Sequence, residues 1–350
     1  MIFEKTGHGG DLYGRPVRLD FSANVNPLGT PGSVRQAAAA ALDSIHQYPD
    51  PCCRQLVEAI ARHEGVCPST VMCGNGAAEL IYAFCAALRP KRVLVPAPAF
   101  SEYAAALNSV DCTAERYLLK QEDGFGLTEA FLPELRNKPW DALFLCNPNN
   151  PTGRLIPSGL LEEICRICGK RGIRLFVDEC FLELSDDGGS HSLKGYLQHD
   201  PELLLLKAFT KNYGMAGLRL GYCLCGDREL LERMSRVTQE WNVSTPAQAA
   251  GLAALQETAF LAAARAVIGT ERSFLGEALE KLGFWVCPSE ANYILFHSSR
   301  PLEEALLAQG ILIRSCANYP GLGEGWYRIA VKQRAENLQL LAALEQRMGG

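Results

Sequence analysis

One lysine and one arginine stand in the otherwise uncharged run Ala208-Phe209-Thr210-Lys211-Asn212-Tyr213-Gly214-Met215-Ala216-Gly217-Leu218-Arg219-Leu220-Gly221-Tyr222. Lys211 follows a hydroxyl residue, and Arg219 comes eight positions later among glycines. An amine must be neutral to attack a carbonyl, and an apolar setting lowers a lysine pKa. A hydroxyl, glycine backbone and a nearby guanidinium suit a phosphate. The combination points to a lysine that forms a Schiff base beside a phosphate-bearing cofactor, as pyridoxal phosphate is held. Taken alone, the run also fits a buried strand and loop with a solvated lysine.

Other segments supply what such a site needs. Cys73-Gly74-Asn75-Gly76-Ala77-Ala78-Glu79 is a glycine-rich turn opening a helical pattern. N–H groups at a helix N-terminus bind phosphate, although alone this is an ordinary helix start. Asp178 closes the strand-like Leu175-Phe176-Val177. An aspartate there fits either a partner that holds a proton on a pyridine nitrogen or a structural cap. Phe100 follows Pro96-Ala97-Pro98-Ala99 and suits stacking on a planar ring or packing in a core. Asn147-Pro148-Asn149-Asn150-Pro151-Thr152-Gly153 reads by itself as a turn. Arg314 and Arg328 lie fourteen residues apart on two strand-like segments. Two fixed guanidinium groups suit a substrate with two anionic groups, a carboxylate and a phosphate. Without that context they would be surface arginines in ion pairs.

The elements that must position these residues alternate. Short apolar runs at 92–96, 142–146, 174–178 and 203–207 predict buried strands, with helical patterns at 77–88, 101–108 and 158–170. The alternation predicts an α/β fold, a mostly parallel central sheet flanked by helices. Ligands in such sheets lie beyond the carboxyl ends of the strands, where Asn147, Asn150, Asp178 and Lys211 fall. From about 245 the pattern changes. A long Ala-rich helix is predicted over 246–266, continuing over 271–282. Strand-like runs follow at 292–296, 310–314 and 326–331, then a last helix at 335–347. We expect an N-terminal arm (1–35), contributing to the substrate site and the small domain, then a large domain (36–245) and a smaller α+β domain (246–350).

Size and composition set the class. A chain of 350 residues exceeds one small core, and 48% hydrophobic with 21% charged residues is ordinary for a globular enzyme. A formal net charge of −5 argues against a nucleic-acid or anionic-membrane role. No apolar run approaches the length of a membrane span, and the first residues lack the apolar core of a secretory signal, so a cytoplasmic location is expected. The fourteen cysteines are scattered, most in apolar stretches. Cys165-Arg166-Ile167-Cys168 has CxxC spacing, but on a helical pattern without a second pair, so core thiols rather than a metal site are expected.

Taken in order, Asn150-Pro151-Thr152-Gly153, Asp178, Thr210-Lys211 and Arg219 resemble the signature of fold-type I pyridoxal-phosphate enzymes of the aspartate-aminotransferase superfamily. The resemblance covers essentially the whole chain. It implies that Lys211 bonds the cofactor, Asp178 pairs with the pyridine nitrogen, Asn150 reaches the ring 3′ oxygen and Phe100 stacks on the ring. It assigns the phosphate to the Ala77 and Ala78 N–H groups, Thr210 and Arg219. Tyr48, in Gln47-Tyr48-Pro49-Asp50-Pro51, matches a tyrosine that reaches the cofactor phosphate of a partner subunit, which implies a homodimer with shared sites.

Within the superfamily the chain resembles histidinol-phosphate aminotransferases and the threonine-phosphate decarboxylases of cobalamin synthesis. His8-Gly9-Gly10, the arm from Asp20 through Asn24 to Gly29, the stretch from Ile311 through Arg314 to Leu322, and Phe181 after Asp178-Glu179-Cys180 favour the decarboxylases. Aminotransferase relatives usually place a tyrosine where Phe181 stands. By this resemblance Arg328 takes the substrate α-carboxylate and Arg314 its phosphate, with His8, Gly9 and Asn24 assisting. The implied reaction is decarboxylation of O-phospho-L-threonine to (R)-1-aminopropan-2-yl phosphate for the cobalamin nucleotide loop. O-phospho-L-serine, giving ethanolamine phosphate, is a further candidate, because a methyl group is worth only ~1 to 3 kcal/mol in a pocket. Histidinol-phosphate transamination is the alternative. A regulator built on such a domain is disfavoured by the retention of Lys211, Asp178 and Arg219. One position departs from the pattern: Ala208 stands where relatives often carry a hydroxyl on the cofactor phosphate, a loss of ~1 kcal/mol.

Overall fold

The computed structural model describes residues 9–186 and 188–349. The arm contains strand β1 (Leu19–Asp20). Seven strands then build the central sheet: β2 (Val71–Gly74), β3 (Val93–Ala97), β4 (Glu115–Leu118), β5 (Ala142–Cys146), β6 (Arg174–Asp178), β7 (Leu203–Ala208) and β8 (Gly221–Cys225). Their order is β2-β8-β7-β6-β5-β3-β4, and only β8 runs against the rest. Every residue of β3, β5, β7 and β8 is buried, because helices cover both faces. Alternate side chains of β5 feed two cores: Leu143 and Leu145 on one face, Ala142, Phe144 and Cys146 on the other.

Register sets the site. Cys146 pairs with Asp178, and Asp178 with Leu206, so the loops leaving β5, β6 and β7 emerge side by side. Gly221 pairs with both Gly74 and Ala208, which draws the glycine-rich turn and the Arg219 loop to the same edge.

The C-terminal third holds β9 (Trp285–Val286), β10 (Tyr293–His297), β11 (Ile311–Leu312), β12 (Arg314–Ser315) and β13 (Trp326–Ala330). β12-β13-β10-β9 form an antiparallel sheet, while β11 pairs with β1 of the arm. The arm also ties to the loop after β7. The Asn26 N–H donates to the Lys211 carbonyl (3.1 Å), and its Nδ2 to the Asn212 carbonyl (2.7 Å).

Two expectations need correction. The helix predicted over 246–266 is broken at 255–257, and the structure instead has Thr245–Ala254 and Thr258–Lys281 bent by 78°. The first packs on Gly32–Ala40 and Arg54–Glu64, the second on Arg334–Gly349, and no straight helix serves both. The continuation expected over 271–282 belongs to the second of these helices, which runs unbroken through buried Ile268. The single run predicted at 310–314 is split at 313, where the chain changes its strand partner from β1 to β13. Cys165 and Cys168 are buried in the helix Ser158–Arg171, and burial pushes the Cys165 thiol up to about 12, far from reactive. Among the described residues no single helix is long and apolar enough to cross a membrane.

Candidate active site

A cavity of about 490 Å³ opens at the carboxyl ends of β5, β6 and β7. Lys211 stands on its floor, in the one-turn helix Phe209–Asn212 that follows β7. Its amine is held down to about 8, by burial first, then by the charges of Arg328 and Arg219, against Cys180 and Asp178. The lowered amine expected from sequence is there, but burial acts together with two guanidinium groups. Phe181 places its ring 5.6 Å from Nζ.

Asp178 ends β6 and is buried. Burial pushes its carboxyl up, opposed by hydrogen bonds from Cys180 and Tyr103 and by the Lys211 charge. The Cys180 N–H donates to one carboxylate oxygen (3.0 Å) and the Tyr103 hydroxyl to the other (2.6 Å). On the neighbouring loop, Asn147 accepts from the Ile156 N–H (2.8 Å) and Asn149 donates to the Pro98 carbonyl (3.0 Å). Those two asparagines fix the turn, and the third, Asn150, lines the cavity. Gly153 has φ +76°, and a Cβ there would lie 2.1 Å from Ser289 Oγ, so the turn admits only glycine.

The glycine-rich turn begins the helix Gly76–Leu88, whose Asn75 side chain makes no capping bond. Glu79 accepts from the Asn75 N–H (2.7 Å) instead. The N–H groups at the start of the helix lack intrahelical acceptors, and those of Ala77 and Ala78 border the cavity at its positive end. Arg219, itself left-handed at φ 58°, lies against Gly76, where a Cβ would sit 2.5 Å from Nη2. Thr210 and Ala208 complete this end, and Phe100 flanks it.

The opposite wall comes from the C-terminal sheet and the arm. Arg314 and Arg328 are direct cross-strand partners on β12 and β13, so they share one face. Arg328 is buried, which removes the surface ion-pair reading. It donates to Asn150 Oδ1 (2.5 Å) and the Ser22 carbonyl (2.9 Å), and its Nε has no partner among the described residues. Arg314 donates to Asn318 Oδ1 (2.9 Å) and lies 5.3 Å over the Tyr319 ring. Asn24 is buried in the cavity wall, and its Oδ1 has no partner among the described residues. Gly9 packs so tightly that a Cβ would lie 2.1 Å from the Ser22 carbonyl oxygen.

Of the residues singled out from sequence, Gly9, Asn24, Ala77, Ala78, Phe100, Asn150, Asp178, Thr210, Lys211, Arg219, Arg314 and Arg328 all line this one cavity. His8 lies outside the described residues. Tyr48 is elsewhere, 78% exposed and stacked on Trp241 at 4.5 Å. Ser22, Ile81, Glu102, Cys146 and Tyr319 line the cavity without having been singled out. Tyr103 was also missed; its i, i+3 spacing from Phe100 on a helical pattern was the available signal.

The family model for class I and II aminotransferases matches residues 17–344, and the chain belongs to this family of pyridoxal-phosphate enzymes. A threonine-phosphate decarboxylase of Salmonella typhimurium is 41% identical over 95% of this chain and 92% of its own. A histidinol-phosphate aminotransferase of Anaeromyxobacter is 34% identical over 96% and 93%. Among solved structures, the histidinol-phosphate aminotransferase of Clostridium acetobutylicum superposes with a TM-score of 0.87 at 26% identity, covering 95% of this chain and 99% of that one.

The residues present fit the cofactor. Acceptor-less N–H groups and Arg219 suit its phosphate, buried Asp178 its ring nitrogen, and the lowered Lys211 amine its aldehyde.

Proposed function

We propose that this chain decarboxylates O-phospho-L-threonine, releasing CO₂ and (R)-1-aminopropan-2-yl phosphate for assembly of the cobalamin nucleotide loop, with O-phospho-L-serine as a second substrate. The observation that carries the reading is the Arg314–Arg328 cross-strand pair facing a cavity with Lys211 on its floor. Like charges directly opposite on a sheet repel, so the pair is best satisfied by a ligand with two anionic groups. The greater identity to the decarboxylase, 41% against 34% for the aminotransferase, supports the choice of reaction.

In this reading Asp178 holds a proton at the cofactor ring nitrogen, Phe100 stacks on the ring, and Asn150 bonds its 3′ oxygen. Ala77, Ala78, Thr210 and Arg219 hold the cofactor phosphate. Bound pyridoxal phosphate supplies an electron sink for the bond broken at the substrate's Cα. Arg328 and Asn150 orient the carboxylate, and that orientation selects C–CO₂ over C–H cleavage. Arg314, Asn24, Gly9 and His8 bind the substrate phosphate. Lys211, with an amine near neutrality, delivers the proton to Cα after CO₂ leaves.

Residues 1–35 act as an arm serving the substrate site and the small domain, 36–245 as the large domain and 246–350 as the small one. Pairing of β1 with β11 supports placing the arm with the small domain. The protein works as a cytoplasmic homodimer in which Tyr48 reaches the partner's cofactor phosphate. Its exposed neighbours Leu42, Ile45 and Trp241 supply an apolar surface for the contact.

Purified protein loaded with cofactor should release CO₂ and the phosphorylated amine from O-phospho-L-threonine with no oxo acid present. No CO₂ from either phosphoamino acid, with amino transfer from histidinol phosphate to 2-oxoglutarate, would replace the reading with the aminotransferase.

A further inference from the structure

We infer that Tyr103 is a positioning residue that fixes both flanks of the cofactor ring, holding Asp178 with its hydroxyl and Phe100 with its ring. The inference rests on the assignment of Asp178 to the ring nitrogen. Tyr103 lies in the helix Ser101–Asn108, three residues after Phe100, and is 1% exposed. Its ring is wedged among aromatic neighbours, 5.6 Å from Phe144 and 6.4 Å from Phe176. A phenylalanine would fill that space as well. The hydroxyl is therefore the informative atom, since a buried hydroxyl without a partner is costly.

The hydroxyl has a single carboxylate to serve. It donates to Asp178 Oδ2 at 2.6 Å, while the Cys180 N–H holds Oδ1 at 3.0 Å. Each carboxylate oxygen thus has a fixed donor, the Cys180 thiol adds a further hydrogen bond, and acceptor capacity remains for a ring N–H. The phenol stays protonated, because burial and the Asp178 charge push its ionisation up, so it can only donate along this bond. Hydrogen bonds to the charged form favour it. Together with Cys180, Tyr103 therefore favours the ionised form of Asp178 against the burial that pushes its carboxyl up. The same ring meets Phe100 edge-on, at 5.7 Å and 85°, which sets the plane of the side chain expected to stack on the cofactor. One residue thereby links the face of the cofactor ring to its nitrogen.

The test compares wild type, Tyr103→Phe, Asp178→Asn and the double variant, each purified and reconstituted with pyridoxal phosphate. Three quantities are measured: the cofactor dissociation constant, the pH midpoint of the bound cofactor's visible absorption, and the thermal midpoint of the cofactor-free protein. A hydrogen bond to a charged group corresponds to about a ten- to hundredfold change in an equilibrium. Tyr103→Phe should weaken cofactor binding by about that factor. It should also raise the absorption midpoint, because a ring with less proton at its nitrogen leaves the Lys211 nitrogen a better base. In the Asp178→Asn background, Tyr103→Phe should change neither quantity further. Unchanged binding and midpoint in Tyr103→Phe, with Asp178→Asn altered, would overturn the inference alone, whether or not thermal stability falls. An Asp178→Asn variant indistinguishable from wild type would remove the Asp178 assignment, and this inference with it.

Discussion

The Lys211 amine is held near 8, against 10.5 for an ordinary lysine, by burial and then by Arg328. A basic group lowered by folding is disfavoured while charged. In cofactor-free protein its contribution to stability is therefore unfavourable below pH about 8 and improves as pH rises from about 8 towards 10.5. The rate of pyridoxal-phosphate uptake should accordingly rise with pH around a midpoint of about 8. Arg328→Met should move that midpoint upward, since removing a cation eases protonation. A wild-type midpoint near 10.5 would contradict this picture of the amine. Arg314→Met should raise KM for O-phospho-L-threonine by about ten- to hundredfold, leaving the cofactor absorption spectrum as it was. Steady-state kinetics beside a spectrum of the same sample check both parts. At this scale the site was largely legible, because lysine, aspartate and arginine next to glycine and proline announce chemistry by type. Tyr103 was not, since an aromatic three residues from another on a helix resembles any core pair. Its difference lies in one hydroxyl, whose partner is 75 positions away.

The elements place these side chains by register and by close backbone approach. Gly76 is needed twice, for φ +75° and for the space that Arg219 fills. Gly76→Ala should cost about 1–2 kcal/mol in backbone strain and displace Arg219, weakening cofactor binding by about tenfold or more. Equilibrium dialysis with pyridoxal phosphate would show it, and wild-type affinity would refute the role given to that contact. Strands β5 and β6 were readable to the residue, because five consecutive apolar or strand-ending positions bounded by turns leave little choice. The bend at 255–257 was hidden, since Leu255-Gln256-Glu257 contains neither proline nor glycine. Tertiary packing decides there. Nor does a spacing of fourteen reveal that Arg314 and Arg328 are cross-strand partners, because it does not state the loop length or the strand register.

In the whole molecule the site joins three parts of the chain: the central sheet, the C-terminal sheet with its arginine pair, and the arm. Among the described site residues, Tyr48 alone lies elsewhere, stacked on Trp241 at the surface. If subunits share sites, two inactive variants should complement each other. Mixing Lys211→Ala with Tyr48→Ala under conditions that exchange subunits should create hybrids in which one site has both residues intact. The mixture should then exceed the summed activities of its parts; simple additivity would argue that each subunit works alone. The central claim is that the bond from Cα to the carboxylate breaks, and not the bond from Cα to hydrogen. The direct measurement is incubation of the holoenzyme with O-phospho-L-threonine in D₂O, without an oxo acid, followed by mass spectrometry. The account predicts CO₂ equimolar with an amine phosphate bearing a single deuterium on the carbon that lost the carboxylate. Recovered O-phospho-L-threonine deuterated at Cα, with no CO₂, would contradict it.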